Sequence, residues 1–389
     1  PPHDLRLNNT TATPLLRSKF FWVALLYFSE GFPLGIFFDI FPVWFRQQGV
    51  ELRNIGLISL LGLAWTFKFL WAPAIDHYRR HRIWMAVVDV LMGTVMLAFA
   101  IAEGLPLWVW LGIAVFTVLS ATNDIAIDGY TIERLNKQEL GLANGFRIGF
   151  YRVGMLAAGV LLWLSDHVGW STTYLVAALA FFGVAVMSMM APKEPARPVR
   201  EATTSFAAEM SALAQQPLLM AALVVFLAGL LWPALFAVNP AWIADIKGAW
   251  WFKSVPVSLI LLAAYLFARA RRGRRAALSD TAAQGPMFGA IVSLLNRKHA
   301  LILIGFILIF KLADSSIGFM IKPFWVDSGF TNTQIGLVSV NLGLVLSISG
   351  GVLGGWYTDR VGIFRALWVL GLWQALSNLG YVIAAFLIP

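Results

Sequence analysis

Ionisable side chains inside long apolar stretches are the residues of this sequence most able to do chemistry. A charge in such a stretch is costly and usually faces a cavity or a charged partner. A carboxylate held among cations can take up or release a proton as its surroundings change. The set therefore favours proton movement or the binding of an anionic solute. Its members are Glu30, Asp39, Lys68, Asp124, Asp128, Arg147, Arg152, Lys311 and Asp314.

The spacing of the carboxylates along the chain divides them further. Asp124 and Asp128 are four residues apart, which places both on one face of a helix. Glu30 and Asp39 are nine residues apart, about 180° around a helix, so we expect them to face different surroundings. A static ion pair between helices is the alternative interpretation, and it is the favoured one for Asp128. The candidate proton-coupling residues are Asp124, Asp128, Glu30 and Asp314.

Four cations, one aromatic side chain and one amide supply the candidates for substrate binding. Lys68, Arg152 and Lys311 are cations within apolar stretches, and together they would attract an anionic substrate. Many of the tryptophans lie at the ends of such stretches, as an interfacial aromatic belt requires, whereas Trp65 lies in the middle of one. The candidate substrate-binding residues are Lys68, Trp65, Arg147, Arg152, Lys311 and Asn123.

A loop motif near the end of the chain supplies candidates for gating. Gly355 is followed by the pair Asp359-Arg360, by a second glycine and by Arg365. This spacing resembles the signature of the major facilitator superfamily, where the charges tie a loop to neighbouring helix ends. The counterpart in the first part of the chain is degenerate, with Ala72 in place of the glycine. The candidate gating residues are Asp76, Arg79, Gly355, Asp359, Arg360 and Arg365.

The composition identifies the elements that must position these residues. Of the 389 residues, 59% are hydrophobic and 13% are charged, against about 25% charged in a soluble domain. Apolar stretches of about 20 residues recur, which is the length that crosses a bilayer as a helix. In the first stretch, Gly31, Pro33 and Gly35 predict either a bend beside a cavity or a kink that neighbouring helices accommodate. The predicted spans are 20–44, 53–75, 83–103, 106–131, 140–164, 170–191, 218–238, 250–268, 300–325, 331–357 and 364–388.

Several function classes are disfavoured by what the sequence lacks. It contains no cysteine, and its apolar stretches contain no pair of histidines, so we expect no metal site. No glycine-rich phosphate loop and no catalytic constellation occur, so we expect neither an ATPase, nor another enzyme, nor a bound cofactor. The net charge is +9. We assign it to cytoplasmic loops and to contact of the basic run 271–275 with anionic lipid, and not to nucleic acid.

The distribution of Lys and Arg predicts the orientation. With the N-terminus in the cytoplasm, 20 of the 29 Lys and Arg residues fall on the cytoplasmic side and 4 on the opposite side. The positive-inside rule therefore favours a cytoplasmic N-terminus.

An internal repeat predicts the fold. The segment 55–59 (IGLIS) recurs at 335–339 (IGLVS), and Trp44 and Trp325 precede the two copies at nearly the same distance. Parallel repeats of this kind describe the major facilitator fold, with two pseudo-symmetric helical halves. We predict a cytoplasmic segment 1–19, a six-helix bundle 20–191, a linker 192–299 with two extra spans and a basic loop, and the first three helices of a second bundle at 300–389. Further spans are then expected beyond residue 389, and a natural short variant is the alternative.

Five blocks of the sequence resemble the AmpG-type muropeptide permeases, a group related to acetyl-CoA transporters and siderophore permeases. We expect a monomer, and the resemblance implies a facilitator of the bacterial cytoplasmic membrane that imports anhydro-sugar peptides with protons. It assigns function to Lys68, Asp76, Asp124, Asp128, Arg152, Lys311 and Asp314. The group usually has Gln where this chain has Asn123. The blocks are 31–34 (GFPL), 68–73 (KFLWAP), 120–128 (SATNDIAID), 151–156 (YRVGML) and 311–314 (KLAD).

Two alternatives to muropeptide import stay open at this point. A siderophore permease of the same group would carry similar blocks. A non-transporting membrane assembly factor would tolerate neutralisation of Asp124, Arg152 and Lys311, whereas a transporter would not.

Overall fold

Helices make up most of the described part of this chain. The computed structural model describes residues 18–68, 71–72, 75, 80–135, 139–194, 217–235, 250–272 and 318–387. No strand occurs among these residues, and five of their helical segments are long and apolar enough to cross a membrane. The prediction of an all-α membrane protein is therefore confirmed.

The described residues before 191 form six helices. In α1 a π-helical turn at Ile36–Ile40 interrupts the α-helical pattern. Between α5 and α6 the helical path breaks at Gly169, whose φ of 80° is open to glycine and strained for other residues. The helices are α1 (Lys19–Gln47), α2 (Leu52–Phe67), α3 (His81–Ala100), α4 (Leu107–Arg134), α5 (140–168) and α6 (170–190).

Beyond residue 216, the described segments form five more helices. The first two, α7 and α8, contain most of the apolar stretches 218–238 and 250–268, and α7 touches α2 through the rings of Phe226 and Phe67. A second π-helical turn, Ile335–Leu342, lies within α10. The helices are α7 (Pro217–Leu235), α8 (Trp250–Arg272), α9 (318–327), α10 (332–361) and α11 (Ile363–Leu387).

Two opposite sides of the first six helices serve as reference points. The ends of the helices at Lys19, His81, Arg134 and Met190 define what we call the Lys19 side. The ends at Gln47, Ala100, Leu107 and Gly169 define the Gln47 side, where the Trp170 indole donates to Gln47 Oε1 at 2.9 Å.

The core of the first half is an aromatic stack along α1. Phe37, Phe41 and Phe45 follow one another at four-residue spacing and are fully buried. Phe41 packs edge-on against Phe116 of α4, with ring centroids 5.5 Å apart. Large apolar side chains also remain exposed on the outer faces of the helices, Leu111 among them. Such faces suit contact with lipid, where an exposed apolar side chain carries no hydration cost.

Close glycine contacts hold α1 against α5. A Cβ atom at Gly31 would lie closer than 3.0 Å to the carbonyl oxygen of Tyr151, and one at Gly154 would lie closer than 3.0 Å to that of Phe28. Small residues let two helix backbones approach in this way. Helix α1 also continues through Pro33 without ending. In this segment α1 is therefore a continuous helix packed closely against α5.

Polar contacts join the two halves near the Gln47 side. Gln47 donates to Asn332 at 2.7 Å, and Asn332 donates to Ser165 at 2.7 Å. Arg46 of α1 forms an ion pair with Asp327 of α9. We call these five residues the seam. The seam joins α1 and α5 of the first half to α9 and α10 at the Gln47 side.

Candidate functional site

Charged side chains from four helices meet inside the first half. The Lys68 ammonium group, at the end of α2, contacts Asp124 of α4 and lies 3.9 Å from Asp128 Oδ2. Arg147 of α5 lies 3.2 Å from Asp128 Oδ1. Glu30 of α1 completes the set through its contact with Asp124. We call these five residues the charged cluster.

Helix periodicity explains how α4 presents two carboxylates to the cluster. Asp124 and Asp128 lie one turn apart, so they point from the same face of α4, as predicted. Tyr27 of α1 donates its hydroxyl to Asp128 Oδ1 at 3.0 Å, and the Arg147 guanidinium lies over the Tyr27 ring. Asp128 is thus held by three side chains, those of Lys68, Arg147 and Tyr27.

Glu30 and Asp124 form a different kind of contact. Their carboxyl groups are within hydrogen-bonding reach of each other, and the two residues are only 8% and 7% exposed. Glu30 Oε2 and Asp124 Oδ1 are buried and accept no hydrogen bond from the described protein groups. Two ionised carboxylates in contact repel, whereas one proton between them makes a hydrogen bond. The geometry therefore suits a proton shared by this pair.

The charge balance of the cluster also indicates one bound proton. Fully ionised, its three carboxylates exceed its two cations by one negative charge. A single bound proton neutralises that excess in a place where an unpaired charge is costly.

The two cations of the cluster are more accessible than the Glu30–Asp124 pair. The side chains of Lys68 and Arg147 are 27% and 42% exposed. The cluster therefore has a buried end that suits a proton and an exposed end whose cations suit an anionic group. A carboxylate or phosphate that approached the cations would compete with Asp124 and Asp128 for them.

Three of the expected substrate-binding residues lie outside the cluster. Asn123 is fully buried and donates to Asp89 Oδ1 at 2.9 Å, on another face of α4. The Trp65 ring packs against Phe37, 5.2 Å between centroids, and so belongs to the aromatic core. Arg152 is half-buried on α5 and makes no ion pair with the described residues.

The remaining expected site residues lie on helices that contribute nothing to the cluster or outside the described residues. Asp76, Arg79, Lys311 and Asp314 belong to the second group, as does the basic loop beyond residue 272. Helix α10 contains Gly355, Asp359 and Arg360, and α11 contains Arg365. On α10 the Arg360 guanidinium lies over the Trp356 ring, 4.1 Å from its centroid.

Two buried charged residues of the described chain are not among the candidate site residues predicted from the sequence. Asp89 of α3 is fully buried and is held by Asn123 and by Ser188, whose hydroxyl lies 3.4 Å from Asp89 Oδ2. Lys322 of α9 pairs with Asp39 of α1, with 3.2 Å between Nζ and Oδ1. Each is an ionisable side chain inside a predicted span, so the rule that selected Asp124 would also have selected them.

Comparison with known proteins places this geometry in context. Residues 23–254 match the sequence profile of the Major Facilitator Superfamily. The anhydromuropeptide permease of Escherichia coli (strain K12) is 26% identical over 92% of this chain and 59% of its own length. A putative transporter, AmpG 4, of Rickettsia conorii is 21% identical over 94% of this chain and 73% of its own length. This chain thus spans 59% of the length of the Escherichia coli relative.

The solved structure of a nucleoside transporter, NupG, also resembles the chain, with lower sequence identity. It is 13% identical with a TM-score of 0.42, and the match covers 83% of this chain and 91% of the transporter.

Proposed function

This chain belongs to the Major Facilitator Superfamily and contains helices long and apolar enough to cross a membrane. From that premise we propose that it is a transporter, a symporter that imports an anhydromuropeptide-like anion together with protons. The observation that carries the proposal is the charged cluster. A buried carboxyl pair suited to one proton lies directly beside two accessible cations, so one site can bind both partners of a symport.

The contact between Lys68 and Asp124 supplies a physical link between the two partners. In this structure Lys68 neutralises Asp124. An anionic solute that binds Lys68 weakens that ion pair and leaves Asp124 beside the Glu30 carboxyl without its cation. A proton then relieves the repulsion between the two carboxyls, so solute binding and proton binding favour each other. Release of either partner on the other side of the membrane favours release of the second.

The chemical class of the solute rests on the relatives and on the accessible cations. The relatives include a protein named anhydromuropeptide permease. Such a solute joins an anhydro-sugar to a peptide that carries carboxylates. Lys68 and Arg147 offer cations of the sign and accessibility that a carboxylate requires.

The proposal includes a location and an orientation. We place the protein in the bacterial cytoplasmic membrane as a monomer, with the Lys19 side in the cytoplasm, because the positive-inside rule favours it. With that orientation the seam lies on the outer face, and the structure corresponds to a state closed toward the outside.

Uptake by proteoliposomes made with the full-length protein tests the proposal. Labelled anhydromuropeptide should accumulate when the outside is acid and should not accumulate when the pH is equal on both sides. Asp124→Asn should abolish accumulation, whereas Glu103→Gln, which neutralises an exposed loop carboxylate, should leave it unchanged.

The outcomes separate the alternatives for the solute and for transport itself. Accumulation of a ferric siderophore in place of the muropeptide would favour the siderophore permease. Absence of uptake of either solute by well-folded protein would contradict the symporter and favour an assembly role.

A further inference from the structure

A second buried ion pair, Asp39–Lys322, joins the two halves away from the charged cluster. Asp39 lies on α1 and Lys322 on α9, and their side chains are 10% and 8% exposed. Lys322 also donates to Ser339 of α10 at 2.8 Å. The pair therefore links one helix of the first half to two helices of the second.

The backbone around the pair departs from the regular α-helix on both sides of the interface. Asp39 lies in the π-helical turn Ile36–Ile40, and Ser339 lies in the π-helical turn Ile335–Leu342. Such turns are rare and concentrate at functional sites. Their presence on both helices that hold Lys322 marks this contact as more than ordinary packing.

Aromatic rings next to the pair in the chain pack across the same contact between α1 and α9. Phe37, two residues before Asp39, packs against Phe319 of α9 with ring centroids 5.1 Å apart, and Phe319 is fully buried. Phe38 also contacts Phe319, at 6.1 Å. In these surroundings each charge needs the other, because a single buried charge without its partner is strongly unfavourable.

The position of Asp39 along α1 places the pair between the seam and the charged cluster. Asp39 is seven residues from Arg46 and nine from Glu30, about 10 Å and 14 Å along the helix. A solute that moves from the Gln47 side to the charged cluster must pass this level, where α1 and α9 are now in contact.

We propose that Asp39 and Lys322 form an inner latch of the transport cycle. The latch holds α1 against α9 and α10 while the Gln47 side is closed, and its two charges separate and become hydrated when that side opens. Asp39 and Lys322 are thus positioning residues for the conformational change and not part of the proton site. This inference rests on the proposed transport function only for its purpose, because the latch itself can be measured without solute or proton gradient.

A thiol reporter in the seam measures opening directly. The chain contains no cysteine, and Ser165 is 6% exposed within the seam. In a Ser165→Cys background, a membrane-impermeant maleimide applied to the Gln47 side reacts only when the seam opens. We expect Asp39→Asn and Lys322→Met each to raise the labelling rate by about tenfold or more, since each leaves an unpaired buried charge.

Two further variants distinguish a latch from general loosening of the fold. Asp327→Asn removes the partly exposed pair with Arg46 in the seam, and water screening limits its effect to about threefold. The swapped variant Asp39→Lys with Lys322→Asp should return labelling toward the starting rate. If the swapped protein does not fold, Asp39→Glu takes its place and should label at nearly the starting rate.

The result that overturns the latch is unchanged labelling in well-folded Asp39→Asn and Lys322→Met proteins. Equal increases for Asp39→Asn and Asp327→Asn would also overturn it, since they would show that the seam alone controls opening. Failure of muropeptide uptake leaves these labelling rates unaffected, so the two proposals fail separately.

Discussion

Replacement of Glu30 by Gln removes the excess carboxylate of the charged cluster and should abolish proton coupling while leaving solute binding intact. In the variant, two carboxylates face two cations, so the cluster is neutral without a proton. The introduced glutamine amide can also donate a hydrogen to Asp124, which replaces the hydrogen bond that the proton made. We therefore expect the number of protons carried per cycle to fall from one to zero.

The expected accumulation of solute follows from the number of protons carried per cycle. Each pH unit across the membrane corresponds to about tenfold accumulation per coupled proton. With two pH units and the membrane potential held at zero, the wild-type protein should accumulate a solute up to about 100-fold, if one proton moves per solute. Glu30→Gln should reach a ratio of about one.

Two assays in the same proteoliposomes check this expectation. Net accumulation under an acid-outside gradient reports coupling. Exchange of labelled for unlabelled solute at equal pH reports binding and the conformational change, and Glu30→Gln should retain it. Glu103→Gln, an identical replacement at an exposed loop position, should match the wild type in both assays.

Two results would refute the reasoning. Accumulation by Glu30→Gln at the wild-type level would show that the proton binds elsewhere. Wild-type accumulation well above about 100-fold under these conditions would require a second proton, which the charge balance of the cluster does not provide.

Two further predictions concern packing and a buried amide. Gly31→Ala should lower the free energy of unfolding by about 1–3 kcal/mol, because its methyl group meets the carbonyl oxygen of Tyr151, whereas Gly145→Ala has open space around it and should be neutral in thermal unfolding. Asn123→Leu should destabilise the protein by about 1–3 kcal/mol by leaving the Asp89 carboxyl without its amide donor, and the KM for uptake should not change. A raised KM with unchanged stability would return Asn123 to the substrate site.

The sequence predicts which helix faces carry charge better than it predicts which faces meet. Periodicity alone places Asp124 and Asp128 together, and the structure agrees. The same rule separates Asn123 from Asp124 by about 100° around α4, so its assignment to the substrate site conflicted with periodicity from the start. The contact of Glu30 with Asp124 depends on how closely α1 approaches its neighbours, and no pattern within one helix contains that information.

Gly31 of α1 shows why tertiary contacts decide whether a residue lines a cavity or packs against another helix. Gly31 and its neighbour Pro33 suggested a bend beside a cavity as readily as a kink held by packing. The structure assigns Gly31 to the contact with Tyr151, a residue 120 positions away in the chain. Trp65 gives a second example, since its place in the middle of α2 suits either a cavity wall or the aromatic core in which it lies.

Helix α1 physically connects the charged cluster with the latch. It carries Glu30 of the charged cluster and Asp39 of the latch. Close packing at Gly31 and Gly154 limits how far α1 can shift against α5, so we expect α1 to move as a rigid rod. A displacement of α1 away from α9 breaks the latch and at the same time alters the contact of Glu30 with Asp124. Opening of the Gln47 side and rearrangement of the proton site are then two consequences of one movement. Coupling therefore needs no chain of residues between the two sites, because both are attached to the same helix.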